Sequence, residues 1–329
     1  MGSVVTFDSK TRVVVTGGAG FVGSALTDLL LGRGSEVIVL DDLSNGLKTN
    51  LPLASANLTF HAITVGDPAN TRLLDEVTES ANVVVHLASP IGVQRAHEER
   101  FAVVRSILAS GMAVIDACRR FRRPMLFMSS SEVYGPGYPR PITENDPVMS
   151  DIRPRWGYAV AKSAIEHLAA GLFLESGIPS WIVRPFNMAG PRQRPSTGLV
   201  VASFADAAWA HRPLIIHGDG SQRRAFLHVA DAAEGLISIM QCDALQGRPV
   251  NLGGEWPIRI DALAELVKKE AQASVPLVYK TPEVLFGKEF ATAGDRLSDS
   301  SLIKSLTGWK QTRSTEQIVA DCVAFLRPK

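Results

Sequence analysis

Short runs of aliphatic and β-branched residues alternate with helix-length stretches along the first half of the chain. Arg12–Thr16, Glu36–Leu40, Asn82–Leu87, Met125–Ser129 and Ser180–Arg184 read as strands. They are apolar almost throughout rather than at every second position, the pattern of strands buried on both faces of a parallel sheet. Between them, Ala25–Leu31, Phe101–Arg120 and Ala159–Glu175 carry helical spacing. Right-handed crossovers make a doubly wound α/β sheet of Rossmann type the economical topology. After Pro185 the alternation breaks. Gly190–Pro195 reads as a loop, Val200–His211 as a helix and Leu214–Ile216 as a strand, and Pro249–Gly253 predicts a short strand returning to the main sheet. The expected organisation is a Rossmann domain over residues 1–185, with 226–255 returning to it, and a smaller, discontinuous α/β domain over 186–329. No internal repeat, low-complexity tract or coiled-coil heptad stands out.

Composition narrows the picture. The chain has 329 residues, 46% of them hydrophobic, enough for a sizeable core. Its 34 Lys+Arg against 33 Asp+Glu leave a net charge of +1, which gives no long-range pull toward nucleic acid or an anionic membrane. Cys118, Cys242 and Cys322 are odd in number and widely spaced, which favours a reducing compartment over a disulfide framework and offers no metal-site spacing. No run of about 18 uninterrupted apolar residues occurs, and Met1–Lys10 lacks a signal-peptide core. The expectation is a soluble, cytoplasmic protein.

Three motifs carry chemistry. Thr16-Gly17-Gly18-Ala19-Gly20-Phe21-Val22-Gly23 follows the first strand and opens a helix. Glycines at 17, 20 and 23 allow a tight turn, close approach of a pyrophosphate and close helix–strand packing, and the helix N-terminus offers free N–H groups. Asp41-Asp42 ends the second strand, where a carboxylate accepts ribose hydroxyls and repels a 2′-phosphate. With no Lys or Arg before Lys48, NAD is favoured over NADP. Asp67 either reaches the adenine or sits as a solvated loop residue. The second motif is Tyr158-Ala159-Val160-Ala161-Lys162. Spacing of four on a helix puts both side chains on one face. A nearby ammonium and an oxidised nicotinamide are expected to lower the Tyr pKa, making Tyr158 a base for a hydroxyl proton. The third is Ser129-Ser130-Ser131-Glu132-Val133-Tyr134-Gly135, directly after a strand. There Ser130 can relay a proton with Tyr158 and Glu132 adds a second ionisable group; a serine-rich helix cap is the plainer alternative. His86 reads as a satisfied core histidine.

Together these residues resemble the extended short-chain dehydrogenase/reductase family, in its nucleotide-sugar epimerase, dehydratase and decarboxylase branch. Arg184-Pro185-Phe186-Asn187 with Gly190-Pro191-Arg192, Gly218–Phe226, and Arg296-x-x-Asp299 through Gly308-Trp309-Lys310 are similar to that branch's later segments. Ser131-Glu132, His86–Pro90, Arg224-Ala225-Phe226 and Arg296 are most similar to UDP-glucuronate decarboxylases. GDP-mannose 4,6-dehydratases share the hydroxyl-Ser-Glu pattern, and a 4,6-dehydratase or 4-epimerase is the rival reading. Thr292–Asp295, leading to Arg296, departs from the family pattern in being less basic.

The resemblance implies catalysis by Tyr158, Lys162, Ser130, Ser131, Glu132 and Arg296. It implies NAD contacts at Gly17, Gly20, Phe21, Val22, Gly23, Asp41, Asp42, Asn45, Gly46, Asp67, Leu87, Ala88, Ser89, Tyr158, Lys162 and Pro185. Nucleotide-sugar contacts are implied at Glu132, Asn187, Arg192, Val200, Ile216, His217, Arg224 and Arg296, with UDP-glucuronate as substrate, no metal and a homodimeric assembly. The helices at Phe101–Arg120 and Ala159–Glu175 either pair across a two-fold axis, as in relatives, or pack only on their own sheet. A non-catalytic NAD-sensing protein is the rival from another class, since fold does not fix function.

Overall fold

The computed structural model describes residues 5–90, 98–153, 156–281 and 294–328. Its centre is a seven-stranded sheet in the order β11-β6-β5-β4-β1-β2-β3. The strands are β1 (Arg12–Thr16), β2 (Glu36–Asp41), β3 (Leu58–Ala62), β4 (Val83–His86), β5 (Met125–Met128), β6 (Ser180–Pro185) and β11 (Pro249–Leu252). Every pairing within it is parallel.

The apolar continuity of the strands has the expected cause. Val13 and Val15 face a core with Leu26, Leu30, Leu236 and Ile237, while Val14 between them faces another with Ile107, Val114, Ile165 and Leu172. Successive side chains point to opposite faces, so a strand covered twice must be apolar at every position. One cover consists of α1 (Phe21–Gly32) and α6 (Val229–Met240). The other holds α2 (Thr71–Ser80), α3 (Arg100–Phe121) and α4 (Gly157–Ser176). By length and composition α3 could cross a membrane, but Val103, Ile107, Val114 and Cys118 are buried in this second core.

The segment at 249–252 does return to the main sheet, pairing with β6 from Pro249↔Ile182 to Leu252↔Pro185, and α6 packs on the same face as α1. A third core joins α5 (Val200–Trp209), β8 (Leu214–His217), α7 (Ile260–Glu270) and α9 (Thr315–Phe325) through Phe204, Leu214, Ile216, Leu263, Val267 and Ile318. Helix α8 (Ser301–Thr307) packs on the first core through Ile303. Among the described residues three two-stranded pairs complete the fold: β7 (Met188–Ala189) with β10 (Leu227–His228), β9 (Arg223–Ala225) against β12 (Pro257–Arg259), and β8 alongside β13 (Leu277–Lys280).

His86 closes β4. It is 2% exposed, Nδ1 lies 2.7 Å from Thr16 Oγ1, and the ring stacks on Phe127. Burial, reinforced by the Lys162 charge, pushes its pKa down to about 3. Between pH 3 and 6.5 the unfolded chain therefore binds a proton that the folded chain refuses, so stability is lost as pH falls through that window. From pH 7 to 5 the contribution is about 2 kcal/mol. Urea titrations of wild type and His86→Gln at both pH values should show the variant losing less by about that amount. Equal losses in the two proteins would show that His86 is not the titrating group.

Candidate active site

The sheet order reverses between β4 and β1, and the carboxyl ends of strands flanking such a switch point form a crevice. Leu87 N donates to Thr16 O at 3.1 Å and Ala88 N to Thr16 Oγ1 at 3.2 Å, which fixes the crevice floor. Gly17 sits at φ +73, and a Cβ there would stand 2.8 Å from Ala88 N. At Gly23 a Cβ would meet Gly17 O at 2.1 Å, so helix α1 can lie against the turn only because residue 23 is glycine. Gly20 is the N-cap of α1 and supplies no side-chain acceptor to the first N–H groups.

Gly17, Gly20, Asp41, Asp42, Asn45, Gly46, Leu87, Ala88 and Ser89 all line this cleft. Asp41 and Asp42 divide the work. Asp41 is 7% exposed and accepts from Ala19 N at 2.9 Å and Leu43 N at 2.8 Å, tying the glycine loop to the loop after β2. Burial raises its pKa against those hydrogen bonds. Asp42 is exposed and accepts from Ser44 N. Asn45 Nδ2 is buried without a protein partner among the described residues, the signature of a donor awaiting a ligand acceptor. These features fit a dinucleotide.

The cleft also has walls that sequence reasoning missed: Ile63, Thr64 and Val65 after β3, and Ser106 and Ser110 from α3. Arg194 was missed as well; it donates to the Asn45 carbonyl at 3.1 Å across 149 residues of chain. Asp67 lies outside the cleft lining and caps a 3-10 turn by accepting from Ala69 N at 3.0 Å. Phe21, Val22 and Gly23 sit in the first turn of α1, and Pro185 ends β6.

Tyr158 and Lys162 share one face of α4, as spacing requires. Lys162 is 3% exposed and its Nζ donates to Met128 O at 2.8 Å, 5.9 Å from the Tyr158 ring centroid. Burial brings the ammonium pKa down to about 7, opposed by Glu166. The Ser130 and Ser89 hydroxyls favour the Tyr158 phenolate. Its pKa does not fall in the protein alone: burial first, then the Glu132 charge, push it up to about 12 despite those two hydroxyls. The lowering expected from the ammonium together with an oxidised nicotinamide belongs to the filled site. Ser130 Oγ accepts from Glu132 N at 3.1 Å as the N-cap of the 131–134 turn, the plainer of its two expected roles. Ser131 is buried beside it.

Glu132 forms an ion pair with Arg296, whose NH2 donates to Gly135 O at 3.1 Å. Arg296 is 6% exposed, and its Nε is buried without a protein partner among the described residues. A backbone bridge sets Arg224 beside Arg296. Arg224 NH1 donates to the carbonyls of Arg223 and Gly294, both at 2.7 Å. Burial and the neighbouring Arg296 charge hold its pKa down at about 10. Two guanidinium groups this close favour an anion between them. Thr292 and Ala293, part of the run leading to Arg296, lie outside the described residues, whereas Asp295 pairs with Arg223.

The remaining expected substrate contacts divide. Asn187 Nδ2 is buried without a protein partner. His217 is half-buried and its carbonyl accepts from Gln222 Nε2, while burial and Lys280 lower its pKa. Arg192, expected at a diphosphate, pairs with Asp28 of α1 at 2.7 Å. Ile216, expected at the substrate, is corrected. It is fully buried in the third core and shows no surface to a ligand. Val200, the first residue of α5, packs at the edge of that core. Among the described residues no cluster of His, Cys, Asp and Glu could hold a metal.

Comparison with known proteins agrees with this geometry. The chain is 30% identical over 322 residues to a UDP-N-acetyl-alpha-D-glucosaminuronate decarboxylase of Bacillus cytotoxicus, covering 97% of this chain and 98% of that one. It is 32% identical over 274 residues to UDP-glucuronic acid decarboxylase 1 of Arabidopsis thaliana, covering 82% of this chain and 61% of that longer protein. The fold superposes on UDP-glucose 4-epimerase of Thermotoga maritima, solved with UDP-glucose, with a TM-score of 0.86 and 25% identity over 96% of this chain and 99% of that one. A model of the NAD dependent epimerase/dehydratase family matches residues 13–253. The chain belongs to the NAD-dependent epimerase/dehydratase family.

Proposed function

We propose that this protein decarboxylates a UDP-hexuronate, UDP-glucuronate in the first instance, by oxidising C4 with NAD⁺. The observation that carries the reading is the Glu132–Arg296 pair beside Tyr158 and Arg224. It adds a cation suited to a sugar carboxylate, and a carboxylate, to a site that already holds an alcohol-oxidising Tyr–Lys face. The two decarboxylase relatives support it.

In this reading the glycine loop, Asp42, Asn45 and Gly46 hold the cofactor, and Arg224 with Asn187 holds the diphosphate. Bound NAD⁺ supplies the two-electron acceptor for C4 and a positive charge near Tyr158. Tyr158, with Ser130 and Lys162, takes the C4 hydroxyl proton. The resulting 4-ketone makes the C6 carboxylate a β-keto acid. The C5–C6 bond then breaks, carbon dioxide leaves, and the bonding pair passes to the C4 oxygen as an enolate. Hydrogen bonds from Tyr158 and Ser130 stabilise that oxygen where charge develops. Arg296 orients the carboxylate, and a water held by the Glu132 carboxylate delivers the proton to C5, the proton being made good from solvent. Re-reduction gives UDP-xylose, and release gives the 4-keto pentose.

Helices α3 and α4 leave Phe101, Met112, Val160, Leu168 and Leu174 exposed, a face suited to a two-fold dimer. The division into residues 1–185 with 226–255, and the remainder as sugar-binding part, belongs to the same reading.

Purified protein incubated with NAD⁺ and UDP-glucuronate should release carbon dioxide and form UDP-xylose or the 4-keto pentose. UDP-galacturonate without carbon dioxide would assign it as an epimerase instead. The near full-length match to the Bacillus protein favours one second reading, a 2-acetamido uronate as substrate. Faster release of carbon dioxide from UDP-N-acetylglucosaminuronate than from UDP-glucuronate would establish it.

A further inference from the structure

A chain of buried polar side chains runs behind the site without lining the cofactor cleft. Glu166 lies one turn beyond Lys162 on α4 and is 6% exposed. It accepts from Arg184 of β6 twice, Nε to Oε1 at 2.9 Å and NH2 to Oε2 at 2.6 Å. Arg184 NH1 donates to Tyr134 Oη at 2.9 Å, and Tyr134 Oη donates to Asn251 Oδ1 at 2.7 Å. Asn251 stands opposite Arg184 in the β11–β6 register, so both side chains leave the same face of the sheet. Asn251 Nδ2 donates to Ile142 O at 2.9 Å and Asp299 O at 3.4 Å, and its backbone N–H donates to Glu144 Oε1.

The two ends of this chain are joined to different halves of the proposed site. Glu166 belongs to the helix that carries Tyr158 and Lys162. Tyr134 ends the turn that carries Glu132. Ile142 takes a hydrogen bond from Asp299 N and gives one to Leu297 O, and so grips the strand segment on either side of Ser298, two residues from Arg296. Such an array costs desolvation that an apolar set of the same size would avoid, and buried polar groups of this kind best repay it by fixing geometry.

We propose that Glu166, Arg184, Tyr134 and Asn251 form a positioning brace that sets the separation between the Tyr158–Lys162 face and the Glu132–Arg296 pair. The brace rests on the decarboxylase reading only for the chemistry it serves. Tyr134 is the link to cut, because Phe retains the ring packing against Phe186 (centroids 6.1 Å apart) and removes only the Oη that joins Arg184 to Asn251.

The test uses the full chain with three variants: Tyr134→Phe, Asn251→Ala and both together. Each single variant should slow carbon dioxide release, in kcat, by about tenfold, with KM and NAD⁺ affinity changed less than threefold. Links of one brace fail together, so the double variant should be no slower than the slower single one. Multiplied losses of about a hundredfold, or single variants within twofold of wild type, overturn the proposal. Amide hydrogen exchange gives a readout that needs no substrate. Residues 130–135 and 294–299 should exchange about tenfold faster in Tyr134→Phe while β1 and α1 are unchanged, and a uniform rise across the chain overturns the brace. If wild type releases no carbon dioxide from UDP-glucuronate, the functional reading fails and the exchange pattern alone decides the brace.

Discussion

Replacing Tyr158 with Phe should lower decarboxylation of UDP-glucuronate by roughly 10³-fold while leaving NAD⁺ bound. The ring keeps its place on α4, so the loss reports the phenol oxygen alone. The neighbouring hydroxyls are those of Ser130 and Ser89, neither of which is basic enough to take a proton from an alcohol near neutral pH. In the protein by itself the phenol is held near 12 by burial and by the Glu132 charge, so at neutral pH it is protonated and inactive as a base. Two cations oppose this when the site is filled: the oxidised nicotinamide and Lys162. Because Lys162 sits near 7 and is bonded to Met128 O, its charge at neutral pH depends on which anions enter with the ligands. Single-turnover measurement of carbon dioxide, together with the nucleotide content of the purified variant, checks the expectation. Activity within tenfold of wild type would remove Tyr158 as the base, and loss of bound NAD⁺ would show that the substitution had disturbed the cleft instead.

Much of this was legible in the sequence, for identifiable reasons. β1, β4 and β5 are buried at nearly every position, and a strand covered twice announces itself by continuous apolarity. β3 does not, because Leu58–Ala62 is an edge strand with a half-exposed pattern. The glycine loop was readable because steric demand at Gly17 and Gly23 admits no side chain. Ile216 was misread although period two contained the answer: Leu214 and Ile216 point into the third core while Ile215 and His217 alternate outward. Arg192 and Arg194 illustrate the limit. Both are loop arginines in a six-residue stretch, and only tertiary placement sends one to Asp28 and the other to the Asn45 carbonyl. The Glu132–Arg296 pair spans 164 residues; no local pattern joins its members, and only resemblance to a family put them together. The brace behind them is equally nonlocal, with Tyr134 and Asn251 separated by 117 residues. For Tyr158, spacing on a helix gives the shared face with Lys162 but not the burial and the Glu132 charge that raise its pKa in the protein alone.

Substitution of Arg296 should separate decarboxylation from nucleotide binding. Its guanidinium is 6% exposed, paired with Glu132 and bonded to Gly135 O, with Nε still lacking a protein acceptor among the described residues. A sugar carboxylate entering beside it would find a planar donor already fixed in place, which costs no reorganisation when charge develops. Arg296→Met keeps length and apolar bulk but removes every donor. It should lower kcat/KM for UDP-glucuronate by roughly 10²–10³-fold and leave the affinity for UDP within threefold, because Arg224 and Asn187 remain. Arg296→Lys should fall between the two, since a single ammonium preserves the charge and loses the fork. Removing the guanidinium also leaves the half-buried Glu132 uncompensated, which by itself can disturb the turn at 131–134. Amide hydrogen exchange over residues 130–135 answers that concern: if misplacement of the turn causes the loss, the segment exchanges faster in Arg296→Met, and if the carboxylate contact causes it, the exchange is unchanged. Titration calorimetry with UDP and UDP-glucuronate, alongside carbon dioxide release, distinguishes these cases. A variant at position 296 that decarboxylates within threefold of wild type would withdraw the arginine from the site.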